Sequence, residues 1–223
     1  MIDGVRLKVC GLTTLVDAEY ADRAGADCLG FILYPKSPRY VSLRQFCDMA
    51  PRLPEGRKRV AVMVEPEASA LADVLAAGFD RVQIHFRLEV GAEQVAAWST
   101  QVGRERLWFA PKLPPEVDVP GWILSAADTI LMDTFHRGGF GGSGQVGDWS
   151  KFQRHQAAHP QHTWVLAGGL NPANIGEAIC SAGARFVDAN SGIETAPGIK
   201  DHAKLRAFIL AIHRAREAAL KAT

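Results

Sequence analysis

One short phrase recurs three times along the chain, and each time it joins a helical pattern to an apolar strand. Ala24-Gly25-Ala26-Asp27 precedes Cys28-Leu29-Gly30-Phe31-Ile32-Leu33, Ala77-Gly78-Phe79-Asp80 precedes Arg81-Val82-Gln83-Ile84, and Ala182-Gly183-Ala184-Arg185 precedes Phe186-Val187-Asp188. A glycine at that point takes the left-handed conformation that ends a helix, so the chain returns at once into a strand. The rest of the chain fills in the same unit. Strands are expected over 7–10, 28–33, 59–64, 81–85, 106–110, 129–133, 163–167 and 185–189, and helices over 14–24, 43–50, 67–77, 92–101, 149–159, 172–182 and 200–219. Between the fifth and sixth strands Pro111, Pro114, Pro115 and Pro120 leave room for only a short or irregular fifth helix near 122–127. Eight strands alternating with helices imply a parallel sheet that closes on itself, hence an α/β fold, a (β/α)8 TIM barrel. An open doubly wound sheet competes, but it carries a single phosphate turn after its first strand, whereas here the glycine-rich exits follow the last three. No linker interrupts the run, so residues 1–223 form one domain.

Composition narrows the partners. Hydrophobic residues make up 48% of the chain and charged ones 22%, enough apolar surface for a substantial core. Lys and Arg number 25 against 24 Asp and Glu, a formal charge of +1 with no basic block, which argues against nucleic acid or an anionic membrane as partner. Cys10, Cys28, Cys47 and Cys180 are scattered without the C-x-x-C spacing of a zinc or redox site, and suit a reducing compartment. No apolar run approaches the ~20 residues of a membrane helix, so the expected location is the cytoplasm.

The strand exits hold the residues with chemistry. Cys10 stands where the first strand stops and a Gly-containing turn begins, a place from which a side chain can face a ligand; a small buried hydrophobe is the plainer alternative. In Tyr34-Pro35-Lys36-Ser37-Pro38-Arg39 two prolines stiffen the loop, and Arg39 could hold a carboxylate bidentately or simply be solvated. Asp133 ends the sixth strand, where partial desolvation raises a carboxyl pKa and makes it a candidate acid; a bond to loop amides is the plainer alternative. Beyond it, Gly139, Gly141 and Gly144 spell G-x-G-x-x-G, but too far from the strand for a dinucleotide site, so the segment is read as a loop that covers a ligand. After the seventh strand come Gly168, Gly169, Asn171 as an N-cap and Pro172 as first helical residue; after the eighth come Asn190, Ser191 and Gly192. Either could be a structural turn, but together they are expected to form the phosphate cradle that many barrels build after strands seven and eight. His155, His159 and His162 lack the Glu of a zinc-protease motif and are assigned to a solvated helix face rather than a metal site.

At these residues the chain resembles phosphoribosylanthranilate isomerase of tryptophan biosynthesis. The resemblance runs from Lys8-Val9-Cys10-Gly11-Leu12-Thr13 through Pro35-Lys36-Ser37-Pro38-Arg39-Tyr40, Gln83-Ile84-His85, Leu131-Met132-Asp133-Thr134, Gly141-Gly142-Ser143-Gly144 and Ala167-Gly168-Gly169-Leu170-Asn171-Pro172 to Ser191-Gly192-Ile193-Glu194 and Gly198-Ile199-Lys200-Asp201. It implies an Amadori rearrangement of N-(5-phosphoribosyl)anthranilate to an open-chain 1-deoxyribulose phosphate, without metal or coenzyme, in a monomer or homodimer. It further implies Cys10 as general base, Asp133 as general acid, Arg39 on the anthranilate carboxylate, and the phosphate on amides around Gly168, Gly169, Ser191 and Gly192. His85 and Asn190 are expected beside the substrate. A thiolate at Cys10 is a competent base if its pKa falls from ~8.5 toward neutrality. Two positions depart from the family pattern: Phe86 stands where Gly is usual, where it would crowd the pocket or tilt the loop, and Ala189 replaces a larger apolar residue. The rival readings are the histidine-pathway isomerase, which uses a carboxylate where this chain has Cys10, and a barrel that binds phosphate without turnover.

Overall fold

Side chains leave a strand alternately to its two faces, and in a parallel barrel both faces are covered. The computed structural model describes residues 1–133 and 148–221. Eight parallel strands pair in chain order and the first pairs with the last: β1 (Arg6–Val9), β2 (Cys28–Ile32), β3 (Lys58–Val64), β4 (Arg81–Arg87), β5 (Leu107–Lys112), β6 (Thr129–Met132), β7 (Thr163–Leu166) and β8 (Phe186–Ala189). The closing pair sets Arg6 opposite Phe186 and Val9 opposite Ala189. Helices α1 (Leu15–Arg23), α2 (Leu43–Met49), α3 (Ala68–Ala76), α4 (Gly91–Val102), α5 (Gly121–Leu124), α6 (Trp149–Ala158), α7 (Ile175–Ala182) and α8 (His202–Lys221) follow the strands in turn. Between β8 and α8 lies a separate antiparallel hairpin, β9 (Glu194–Ala196) and β10 (Ile199–Lys200). Among the described residues no helix is long and apolar enough to cross a membrane.

Alternation sorts the core into two layers. Leu7, Val9, Val82, Ile84, Phe86 and Phe109 point outward and pack with Ala18, Val95, Trp98 and Phe208 of the helices. Cys10, Val60, Val62, Trp108, Leu131, Val165 and Phe186 point inward and fill the barrel. Phe86 therefore meets Trp98 and Phe109 edge-on, with ring centroids 5.6 and 5.2 Å away, and does not face the pocket. Ala189 is fully buried in the outer layer. Neither the crowding nor the tilt expected of Phe86 is needed, because its parity with Val82 and Ile84 turns the ring away. Phe86→Leu should lower stability by about 1 kcal/mol while kcat and KM stay within about twofold of the parent, measured by thermal melts and steady-state kinetics.

Three helices start on a cap that their residues dictate: Thr14 accepts from the Asp17 amide, Ser42 and Gln45 form a reciprocal capping box, and Asp148 accepts from the Lys151 amide. The crowded connection before α5 has a different support. Proline carbonyls there need donors, and the buried Lys151 amine supplies them, reaching Pro114 O at 2.9 Å, Pro115 O at 3.3 Å and Val117 O at 2.5 Å.

Three expectations need correction. Regular helix α7 begins at Ile175 rather than Pro172, although Asn171 does cap the turn before it, its Oδ1 accepting from the Ala173 amide. Lys200 belongs to β10, and α8 starts two residues later. His155 is buried rather than solvated, stacked on Trp164 with centroids 5.5 Å apart and its Nε2 3.2 Å from Asp118 Oδ1. The expected covering loop with Gly139, Gly141 and Gly144 lies outside the described residues.

Candidate active site

The inward-facing residues at the carboxyl ends of the strands and the loops beyond them enclose one cavity of about 310 Å³. Cys10, Arg39, His85, Asp133, Gly168, Gly169, Asn190 and Ser191 all line it. Gly192 does not line it but shapes its floor, since a Cβ there would collide with the Leu170 carbonyl oxygen. The volume suits a ligand of metabolite size, and Ile32, Val62, Val64 and Leu131 give it an apolar wall.

Below the cavity, Lys8 and Asp188 form an ion pair inside the barrel. Lys8 is fully buried, with Nζ 2.9 Å from Asp188 Oδ2, and its charge acts on the neighbouring Cys10. Gly30 on β2 makes the space: a Cβ there would sit 2.9 Å from Lys8 Cε and 3.1 Å from Cys10 Sγ. Burial works against the ammonium, but Asp188 and Cys10 outweigh it and hold Lys8 above the ordinary lysine value. Burial pushes the Asp188 carboxyl up, against the pull of Lys8. The Cys10 thiol is pushed up by burial too, with Lys8 again opposing. In the free protein the thiol therefore does not drift toward neutrality, and Lys8 supplies the charge that meets a thiolate once the proton leaves. Asp188 Oδ1 is buried at the cavity wall with no hydrogen-bond partner among the described residues, an acceptor left for a ligand N–H or O–H.

His85, on β4, lies 2.7 Å from the amide nitrogen of Gln83. Burial, reinforced by Lys8, lowers its pKa to about 4, so the ring is neutral across the working range. Arg39 leaves the loop after β2 and is held by Glu194 of β9: Nε is 3.0 Å from both carboxylate oxygens and Nη2 is 2.7 Å from Oε2. Lys200 donates to Glu194 Oε1 at 2.8 Å and to Asn190 Oδ1 at 3.0 Å. Burial alone would raise the Glu194 carboxyl, but the Arg39 hydrogen bonds and Lys200 bring it below the usual range.

On the far side, Gly168 and Gly169 line the cavity with positive φ, at 88° and 62°, a conformation that favours glycine and brings the backbone itself to the cavity wall. The Gly169 carbonyl is pinned from behind by the Asn171 and Asn174 side-chain amides. A short helical turn, Ser191–Ile193, opens beside it. None of the hydrogen bonds among the described residues uses the amides of Gly168, Gly169, Ser191 or Gly192. Such a set of free donors is suited to phosphate oxygens.

Lys8, Asp188, Glu194 and Lys200 were missed as site residues. For the first two a signal existed: Arg6, Lys8 and Cys10 alternate with Leu7 and Val9, and Phe186, Asp188 and Asn190 alternate with Val187 and Ala189, which puts both charges on the inner face.

Known proteins resemble this chain along nearly its whole length. The family described as N-(5'phosphoribosyl)anthranilate (PRA) isomerase matches residues 7–211. The N-(5'-phosphoribosyl)anthranilate isomerase of Magnetococcus marinus is 36% identical over 217 residues, 96% of this chain and 98% of its own length. The solved phosphoribosyl anthranilate isomerase from Thermotoga maritima superposes with a TM-score of 0.76 at 34% identity, covering 93% of this chain and 98% of the other. A further solved phosphoribosyl anthranilate isomerase, in complex with reduced 1-(o-carboxyphenylamino)-1-deoxyribulose 5-phosphate, aligns with a TM-score of 0.72 at 32% identity over 92% of this chain and 96% of its own.

Proposed function

The chain belongs to the N-(5'-phosphoribosyl)anthranilate isomerase family, and we propose that Cys10 and Asp133 carry the proton transfers of its rearrangement across the cavity described above. The chain is an isomerase of tryptophan biosynthesis that turns N-(5-phosphoribosyl)anthranilate into 1-(2-carboxyphenylamino)-1-deoxyribulose 5-phosphate. Asp133 gives a proton to the ribose ring oxygen as the bond from that oxygen to C1' breaks, and the anthranilate nitrogen's lone pair forms the C1'–N double bond. Cys10, as thiolate, then takes the proton on C2', and the electron pair of that bond closes a C1'–C2' double bond and returns the nitrogen's electrons. The resulting enolamine loses its C2' hydroxyl proton and gains one at C1', which leaves the ketone. Each transfer is ordinary general acid or base catalysis, and neither needs a metal or coenzyme.

The observation that carries these roles is the presence of a sulfur and a carboxyl on one cavity wall set, from β1 and β6, with separate places for the two ends of the substrate. Arg39 supports the anthranilate carboxylate, and the amides at Gly168, Gly169, Ser191 and Gly192 support the phosphate. His85, neutral, and Asn190, bonded to Lys200, flank the sugar. The chain works on this small phosphorylated substrate in the cytoplasm, as a monomer or homodimer.

Loss of anthranilate-conjugate fluorescence on mixing with purified protein tests the activity. Turnover at the rates common to enzymes, about 1 to 10³ s⁻¹, is expected. Binding without fluorescence loss would point to an inert barrel, and turnover of the histidine-pathway substrate alone to the rival isomerase. Because burial raises the Cys10 thiol, kcat/KM should climb with pH through and above neutrality as the thiolate fraction grows; a profile flat to alkaline pH would remove Cys10 as the base.

A further inference from the structure

The β9–β10 hairpin contributes no strand to the barrel, yet it carries two of the most deeply buried charges in the chain. Glu194 and Lys200 have side chains only 4% and 1% exposed. The hairpin is laid across the mouths of the first two units: Thr13 Oγ1 donates to the Gly198 carbonyl at 2.7 Å, and the Gly198 amide donates to Glu194 Oε1 at 3.2 Å. Gly11, in the turn after β1, leaves the gap in which this network meets the cavity, since a Cβ there would stand 2.6 Å from Asn190 Oδ1 and 2.8 Å from Arg39 Cδ.

A guanidinium has two edges that fit a carboxylate, one made of Nε and Nη2 and one of Nη1 and Nη2. Glu194 occupies the first edge of Arg39. The second takes no hydrogen bond among the described residues, and Arg39 lines the cavity. An Arg paired with Glu alone would have its charge cancelled. Lys200, on Oε1 of Glu194, restores a net charge of one unit to the trio, as two cations against one anion.

We propose that Glu194, backed by Lys200, is a positioning residue that fixes Arg39 with its second edge toward the cavity, so that the hairpin sets selectivity for a substrate carrying a carboxylate. The inference rests on the assignment of Arg39 to the anthranilate carboxylate and extends it to residues that do not touch the substrate. Holding one edge in a bidentate pair removes most of the rotamer freedom that an arginine would lose on binding, which is how preorganisation raises affinity.

The test compares dissociation constants, by calorimetry, for reduced 1-(o-carboxyphenylamino)-1-deoxyribulose 5-phosphate and for the same compound lacking the carboxyl group. Arg39→Ala should erase most of the parent's preference for the carboxylated compound, a loss of about 10- to 100-fold as expected for a charge-assisted pair. Glu194→Gln should lose about tenfold of that preference while leaving affinity for the other compound unchanged and kcat within about threefold. Adding Glu194→Gln to Arg39→Ala should cost nothing more. Glu194→Asp keeps the charge beside Lys200 but shortens the reach to Arg39, so it should reproduce a smaller selective loss even if the Gln variant folds poorly. A silent Glu194→Gln, or one that weakens both compounds equally, beside a large Arg39→Ala effect overturns the proposal alone. An unchanged preference in Arg39→Ala overturns the carboxylate assignment and the proposal with it.

Discussion

Asp133→Asn and Cys10→Ser should each lower kcat by about 10² to 10⁴ while leaving the affinity for the reduced product analogue within about threefold of the parent. The reasoning is local. Asparagine keeps the shape of Asp133 but has no proton to give the ring oxygen, so ring opening loses its acid. Serine keeps the position of Cys10, but its hydroxyl gives up a proton far less readily than a thiol, even with Lys8 alongside to meet the charge. Neither change touches the amides of Gly168, Gly169, Ser191 and Gly192, or Arg39, so binding survives. Steady-state kinetics with calorimetry checks the pair, and near-normal turnover in both variants would reject the roles assigned to them.

Lys8→Met should be the most destabilising single change in the site. It strands Asp188, whose side chain is 9% exposed, without the cation 2.9 Å away, and removing one partner of a buried pair typically costs about 3–5 kcal/mol. For a chain of this length that is a fall in Tm of roughly 6 to 20 °C. A second change, Asp188→Leu, should recover most of the stability, because replacing both partners by apolar groups removes the unpaired charge. It should not recover activity, since Cys10 then faces burial with only the weaker pull of Lys200 to oppose it. A Tm within about 2 °C of the parent in Lys8→Met, read by calorimetry, would mean that the pair carries little of the barrel's stability.

Much of this architecture was legible because strand exits and helix returns leave strong local marks. The Ala-Gly helix returns and the apolar runs placed every barrel strand within about two residues of its bounds, and the prolines before α5 foretold a short helix there. The residues at strand ends were legible for the same reason, since a closed barrel puts them all at one mouth. What stayed hidden were partnerships across long stretches of chain. Lys8 and Asp188 stand 180 residues apart, and only strand parity hints that both point inward. Parity would also have cleared Phe86, which shares a face with Val82 and Ile84. The β9–β10 hairpin has strands of three and two residues, too short for any periodic signal, so Lys200 read as the start of the last helix. His155 fell at a helical spacing that suits solvent, and only tertiary packing against Trp164 buries it.

The most direct test of the account is a crystal structure of this chain with reduced 1-(o-carboxyphenylamino)-1-deoxyribulose 5-phosphate bound. The predicted result has the Cys10 sulfur beside C2' and the Asp133 carboxyl beside the hydroxyl derived from the ring oxygen, each near hydrogen-bonding reach of about 3 to 4 Å. The phosphate should lie on the amides of the β7 and β8 exits and the carboxylate on Arg39. A sugar chain that passes Cys10 and Asp133 on the same side, or a phosphate seated on Arg39, would contradict it.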